Sequence, residues 1–147
     1  VGEVTIRSDA VNVIAEQARI TGEFRSPDEE WLARIGDQLA AAVAEACESR
    51  RAHGTASWQS HEEPVVMDAA VSDALAAGAL ATGHESVRLF SGAGHDTVQI
   101  ASLCPSGMIF IPSVGGRSHC PEEETSFSDI GNGIDALVRG LLVIDAR

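Results

Sequence analysis

At 147 residues the chain suits one compact domain or two small lobes, and an apolar fraction of 44% is enough for a core. Acidic residues outnumber basic ones 22 to 10, a net charge of -12, and that field repels a nucleic-acid duplex or an anionic membrane surface. No stretch approaches the ~18–20 apolar residues of a membrane span, so neither nucleic acid nor membrane is an expected partner.

The opening V-G-E-V-T-I-R has no Met, no basic n-region and no signal-peptide core, and it enters directly on strand-like alternation. Residues upstream are therefore expected to be missing. Val4 and Ile6 alternate with Glu3, Thr5 and Arg7 as in a half-buried strand. Gln17–Arg25 places Ala18, Ile20, Gly22 and Phe24 on one face and Gln17, Arg19, Thr21, Glu23 and Arg25 on the other. An antiparallel sheet with one wet face has this pattern. Ser26-Pro27-Asp28-Glu29 reads as a helix start with Ser26 as N-cap, Pro27 at N1 and Glu29 closing a capping box. Trp31, Leu32, Ile35, Leu39, Val43 and Ala46 are that helix's apolar stripe, and Arg50, Arg51 and Gly54 end it. Thr55–Ser60 is a further strand, making the first part β-β-α-β.

A break falls near His61–Pro64. Asp68 caps an alanine-rich helix running to about Gly83, Val87–Phe90 is a short strand, and a glycine loop at Gly92–Gly94 leads into a helix from about Asp96 to Leu103. Gly107–Pro112 is continuously apolar, as in a strand buried on both faces. Ser126 starts a last amphipathic helix with Ile130, Ile134, Leu137, Leu141 and Ile144 on one side. The second part is α-β-α-β-α, the wiring of a sheet layered with helices, and the fold class is α/β. Cys47, Cys104 and Cys120 are odd in number and lack C-x-x-C spacing. A disulfide framework is not expected, and a cytoplasmic location is.

Candidate chemistry gathers near the C-terminus. His119 follows Gly115-Gly116 and precedes Pro121-Glu122-Glu123. It reads either as a metal ligand at the end of a strand, facing a cleft, or as a surface-loop histidine, and spacing alone favours the second. The backbone of Gly92-Ala93-Gly94-His95-Asp96 can bind a carboxylate or oxyanion at a helix N-terminus. It can equally be a tight turn whose glycines supply positive φ, with Asp96 as cap and His95 in a structural polar contact. Arg25 is suited to clamp a carboxylate, or simply to pair on an exposed strand; Asn12 can be a turn residue. The chain has no H-E-x-x-H, H-x-H or G-x-S-x-G, and a catalytic zinc needs about three protein ligands. With one good candidate, a complete metal site is not expected.

The segments A-V-N-V-I (Ala10–Ile14), G-E-F-R-S-P (Gly22–Pro27), S-G-A-G-H-D (Ser91–Asp96), G-M-I-F-I-P-S (Gly107–Ser113) and S-H-C-P-E-E (Ser118–Glu123) occur here in order. Together they resemble the C-terminal part of the zinc-dependent amidohydrolases that cleave carbamoyl and ureido groups. That group comprises N-carbamoyl-L-amino-acid hydrolases, β-ureidopropionase and allantoate amidohydrolase, within the aminoacylase/carboxypeptidase-type metallohydrolase superfamily. The resemblance implies that residues 1–60 are part of a ferredoxin-like satellite (lid) domain, which is also the dimerisation domain. Residues 64–147 would be the C-terminal part of the layered catalytic domain. It implies His119 as a metal ligand, with zinc (or manganese, cobalt or nickel) as the divalent cofactor. Asn12, Arg25, Gly92, Ala93, Gly94 and His95 would hold a small substrate bearing a carboxylate and a ureido or amide group. The general base and the other ligands would lie in an N-terminal segment absent here, so no catalytic residue is expected in this chain.

Two departures are visible: Ala15-Glu16 replace the family's usual Pro-Gly after N-V-I, and Arg117 stands where a small apolar residue is usual. The expected function is that of a fragment or truncated homologue of a metal-dependent hydrolase of linear C–N bonds, inactive alone. The alternatives are a non-catalytic binding or oligomerisation module, pairing through the open lid strand edge as a homo-oligomer, and, within the enzymes, an aminoacylase or metallodipeptidase.

Overall fold

The computed structural model describes residues 2–146. Its elements are β1 (Glu3–Arg7), β2 (Gln17–Thr21), α1 (Glu29–Glu48), α2 (Ala69–Ala81), α3 (Thr97–Ala101), a 3-10 turn (Val114–Gly116) and α4 (Phe127–Asp145). They form two compact units that divide between Pro64 and Val65.

In the first unit β1 and β2 pair antiparallel. The register sets Val4 opposite Ile20 and Ile6 opposite Ala18, while Glu3, Thr5 and Arg7 face Thr21, Arg19 and Gln17. Period-two alternation therefore sorts one apolar and one polar face. The apolar face is open: Val4 is 55% exposed, Ile6 64% and Ile20 68%. The sequence pattern carries β2 to Arg25, yet the strand stops at Thr21. The Gly2 N–H takes the Thr21 carbonyl at 2.9 Å, and residues 22–25 have no ladder partner among the described residues. Alternation outlasts the strand because pairing, not pattern, ends a ladder.

The start of α1 also differs from expectation. Its N-cap is Asp28, not Ser26: Asp28 is extended and its Oδ1 accepts the Trp31 N–H at 2.9 Å. Ser26 Oγ instead accepts the Asp28 N–H at 3.1 Å, so Pro27 precedes the helix rather than beginning it. Phe24 packs edge-on against both Trp31 (6.1 Å between ring centroids) and Trp58 (6.3 Å). Trp58 lies directly on Gly36 of α1, where a Cβ would meet the indole Nε1 at 2.5 Å. The expected strand Thr55–Ser60 has no ladder among the described residues; here its tryptophan covers the helix instead.

In the second unit α2 packs on α4. Ala74, Leu75 and Ala136 are buried, as are Gly78 and Gly140. The glycines permit close approach: a Cβ on Gly78 would meet the Gly140 nitrogen at 2.5 Å. Asp68 caps α2 as expected, its Oδ1 accepting the Val71 N–H at 2.9 Å. The Asp68 N–H donates to the Ser106 carbonyl at 2.9 Å, which ties the start of α2 to the following extended segment. That segment lies along both helices, Gly107 against Val71 and Ile111 against Gly133. Gly107–Pro112 was expected to be buried on both faces, but Met108 and Ile109 are half-buried and Phe110 is exposed. Neither this segment nor Val87–Phe90 pairs with a strand among the described residues. The α/β class stands, but this unit is organised by the α2–α4 packing and the extended segment laid along it, with no sheet among its described residues.

Candidate functional site

His119 sits in a tight turn built by Val114–Gly116. Gly115 and Gly116 adopt φ of 67° and 65°. His119 itself has φ of 58°, a left-handed conformation that is uncommon outside glycine. Three hydrogen bonds hold the turn around it. The Glu123 carboxylate accepts the His119 N–H at 2.7 Å, a short charge-assisted bond. The Glu123 N–H donates to the Cys120 carbonyl at 3.0 Å, and Val114 to Glu124 at 2.8 Å closes the base of the loop. His119 is exposed. Arg117 and Glu122 approach to 3.9 Å at the surface, a pair that contributes little. Among the described residues no group of three His, Cys, Asp or Glu side chains could hold a metal. As a single imidazole donor His119 suits a divalent ion; as a complete site the described residues do not.

The loop at Ser91–Asp96 is organised around Ser91, which opens the S-G-A-G-H-D motif but to which the sequence assigned no role. Ser91 Oγ lies 2.7 Å from His95 Nε2, accepts the Ala93 N–H at 3.2 Å and lies 3.4 Å from the Ala93 carbonyl. Phe110 of the following extended segment packs edge-on against the His95 ring, with centroids 5.5 Å apart at 60°. Ser91 and His95 are both half-buried. The four-residue spacing of Ser91 and His95 was the available signal; Phe110 came from a different segment and left none. Gly92 and Gly94 do not adopt positive φ, contrary to the tight-turn expectation, and a Cβ on either would meet nothing within 4 Å. Asp96 makes no side-chain cap, and α3 is a five-residue helix, too short to build an anion site at its N-terminus.

In the first unit Asn12 lies exposed in the turn between β1 and β2, where the Val13 N–H approaches the Ala10 carbonyl at 3.4 Å. Arg25 follows β2 and pairs with Glu23 at 2.9 Å. Cys47, Cys104 and Cys120 are free thiols. No helix among the described residues is long and apolar enough to cross a membrane.

The model of peptidase family M20/M25/M40 matches residues 7–142. The chain is 33% identical to an N-carbamoyl-L-amino-acid amidohydrolase of Paenarthrobacter aurescens, over 99% of this chain and 35% of that protein. It is 30% identical to an allantoate amidohydrolase of Bacillus subtilis, over 92% of this chain and 33% of the relative. Among solved structures it resembles an amidase of the hydantoinase/carbamoylase family from Burkholderia multivorans. That match has a TM-score of 0.89 at 30% identity, over 97% of this chain and 34% of the other. The chain thus spans about a third of the length of the relatives it matches. A match across nearly all of its length, joined to the likeness in fold, means that the chain belongs to peptidase family M20/M25/M40.

Proposed function

We propose that this chain contributes the substrate-holding and final metal-ligand segments of a metal-dependent hydrolase of linear C–N bonds. Its substrates would be N-carbamoyl or ureido amino acids. Residues 1–60 would form part of a lid and dimerisation domain, and residues 64–147 the C-terminal part of the catalytic domain. Zinc is the proposed metal, the cytoplasm the proposed location, and a homo-oligomer paired through the lid strand edge the proposed assembly. The observation that carries this reading is the His119 turn, a left-handed histidine fixed by Glu123 within a chain related to amidohydrolases.

Each role is the one the family resemblance implies, and local chemistry supports it. Bound metal ions would supply Lewis acidity for attack of water on a ureido or amide carbonyl. His119 would provide one neutral imidazole donor; the rest of the donor set is not among the described residues. Arg25 would hold the substrate carboxylate through its guanidinium fork. Its pair with Glu23 is exposed, and an exposed pair of this kind contributes little to stability. Asn12 would add a polar contact to the same ligand. The room beside Gly92 and Gly94, where an added Cβ would meet nothing within 4 Å, supports a pocket-lining role for this loop.

Zinc titration of the chain alone tests this. The expected result is weak binding, lost in His119→Ala, and no turnover of an N-carbamoyl amino acid. Tight stoichiometric binding with turnover would show that the chain completes its own site, and binding indifferent to His119→Ala would remove the ligand assignment. The open apolar face of the hairpin favours a second reading, a non-catalytic association module. A stable symmetric dimer on a sizing column, with neither metal nor ligand affinity, would select it.

A further inference from the structure

β2 leaves the ladder at Thr21, and among the described residues its hydrogen bonds do not reach Arg25. Contacts on either side of Arg25 hold it instead. On one side the Phe24 ring stands edge-on to Trp31, in the first turn of α1, at 6.1 Å, and to Trp58 at 6.3 Å. Edge-to-face pairs of this kind are favourable beyond the area they bury. Trp58 comes from a separate segment and is itself seated on Gly36 of α1. On the other side Ser26 Oγ accepts the Asp28 N–H at 3.1 Å, and Asp28 Oδ1 accepts the Trp31 N–H at 2.9 Å. Residues 24 and 26 are thus both referred to the start of the same helix. The Arg25–Glu23 pair at 2.9 Å lies inside the segment and moves with it, so it adds no outside reference.

We infer that Phe24 is a positioning residue whose ring ties Arg25 to the N-terminal turn of α1, so that the guanidinium is aimed by the helix and not by the sheet. Phe24 is 40% exposed and Trp58 52%, so the three rings bridge segments more than they fill a core. Consecutive Cα atoms are about 3.8 Å apart, and Arg25 can stray little while both of its neighbours are held. Without the Phe24 ring only the Ser26 side remains. A guanidinium recognises a carboxylate through a fork of fixed geometry, which a swinging backbone does not present. The carboxylate as ligand rests on the role proposed above for Arg25, whereas the tether does not.

Backbone amide NMR relaxation of the whole chain, without ligand, tests the tether residue by residue on the picosecond-to-nanosecond scale. The Arg25 amide is expected to be as ordered as that of Leu32 in α1. Phe24→Ala should lose that order at Glu23 and Arg25, while Ile20 in the ladder and Leu32 keep theirs. Phe24→Tyr keeps the ring and should restore it. If Phe24→Ala gives no folded spectrum, Phe24→Leu, which keeps bulk without an aromatic edge, is read in its place. An Arg25 amide already mobile in the wild type, or unmoved by loss of the ring, overturns the inference. The aim of the side chain is read at the Arg25 Nε–H, assigned by its absence in Arg25→Gln. An N-carbamoyl amino acid should shift that signal in the wild type and in Phe24→Tyr, and the shift should be lost in Phe24→Ala. A shift kept in full by Phe24→Ala overturns the positioning role. A wild-type signal indifferent to the compound overturns the carboxylate role of Arg25 alone, and relaxation then decides the tether.

Discussion

Two helix ends separate what a single residue encodes from what its neighbours impose. After α2 the Gly83 N–H donates to Leu80 and the His84 N–H to Ala79, both at 3.0 Å, and Gly83 has φ of 84°. After α1 the Arg51 N–H donates to Glu48 at 3.2 Å and the Ala52 N–H to Cys47 at 2.9 Å. The hydrogen-bond pattern is the same, a Schellman closure, but Arg51 fills the left-handed position at φ of 54°. A side chain there costs roughly 1 kcal/mol that glycine avoids. Arg51→Gly should therefore stabilise the chain by about 0.5–1 kcal/mol, while Gly83→Ala should destabilise it by about 1 kcal/mol. Space does not confuse the second test, because nothing lies within 4 Å of a Cβ on Gly83. Urea denaturation of both variants checks the opposite signs. The glycine made the end of α2 legible in the sequence. Arg51 and His119 carry no such mark, because the hydrogen bonds that hold them left-handed come from residues the pattern cannot weigh.

Most helices were readable from the sequence, as was the β1–β2 hairpin, but three further expected strands were not found among the described residues, for a reason inherent in each element. A helix closes its bonds within itself, so the stripe of α1, the Asp68 cap of α2 and the Ser126 start of α4 sufficed to place them. Ser126 Oγ does accept the Asp129 N–H at 3.0 Å. A strand borrows its partner, and Thr55–Ser60, Val87–Phe90 and Gly107–Pro112 have strand composition without a ladder among the described residues. Glycines within α4 were equally silent about their roles. Gly131 faces open space, whereas a Cβ on Gly140 would meet Leu75 and the Ala74 carbonyl of α2. Gly131→Ala should therefore gain the ordinary helix preference, about 0.5–1 kcal/mol. Gly78→Ala carries the same intrinsic gain but drives a methyl into the Gly140 and Ala136 backbone. Overpacking against backbone should reverse the sign, for a net loss of about 1–3 kcal/mol. Thermal unfolding of the two variants decides whether the α2–α4 contact is as tight as its geometry. If Gly78→Ala were as stabilising as Gly131→Ala, the two helices would not be held at this separation.

At the scale of the whole chain two properties oppose each other. The net charge of -12 repels every copy from every other. The β1–β2 hairpin meanwhile leaves Val4, Ile6 and Ile20 uncovered on one face, and among the described residues neither of its edges is paired with a further strand. Its polar face carries Glu3, Arg7 and Arg19, so the two faces respond to salt in opposite ways. Repulsion between copies acts through solvent and is screened over a Debye length of about 30 Å at 0.01 M salt and about 8 Å at 0.15 M. Apolar burial is not screened at all. Self-association should therefore grow as salt rises across that interval, and sedimentation velocity reads it directly. Replacing Val4, Ile6 and Ile20 by threonine keeps β-branched side chains on the strands while making the face polar. That variant should remain monomeric at both salt concentrations, with the hairpin preserved. If the wild-type mass were the same at low and high salt, charge would not be what restrains the apolar face. If the threonine variant associated as strongly as the wild type, the surface responsible would lie elsewhere, with Phe127 on α4, 93% exposed, the next residue to replace.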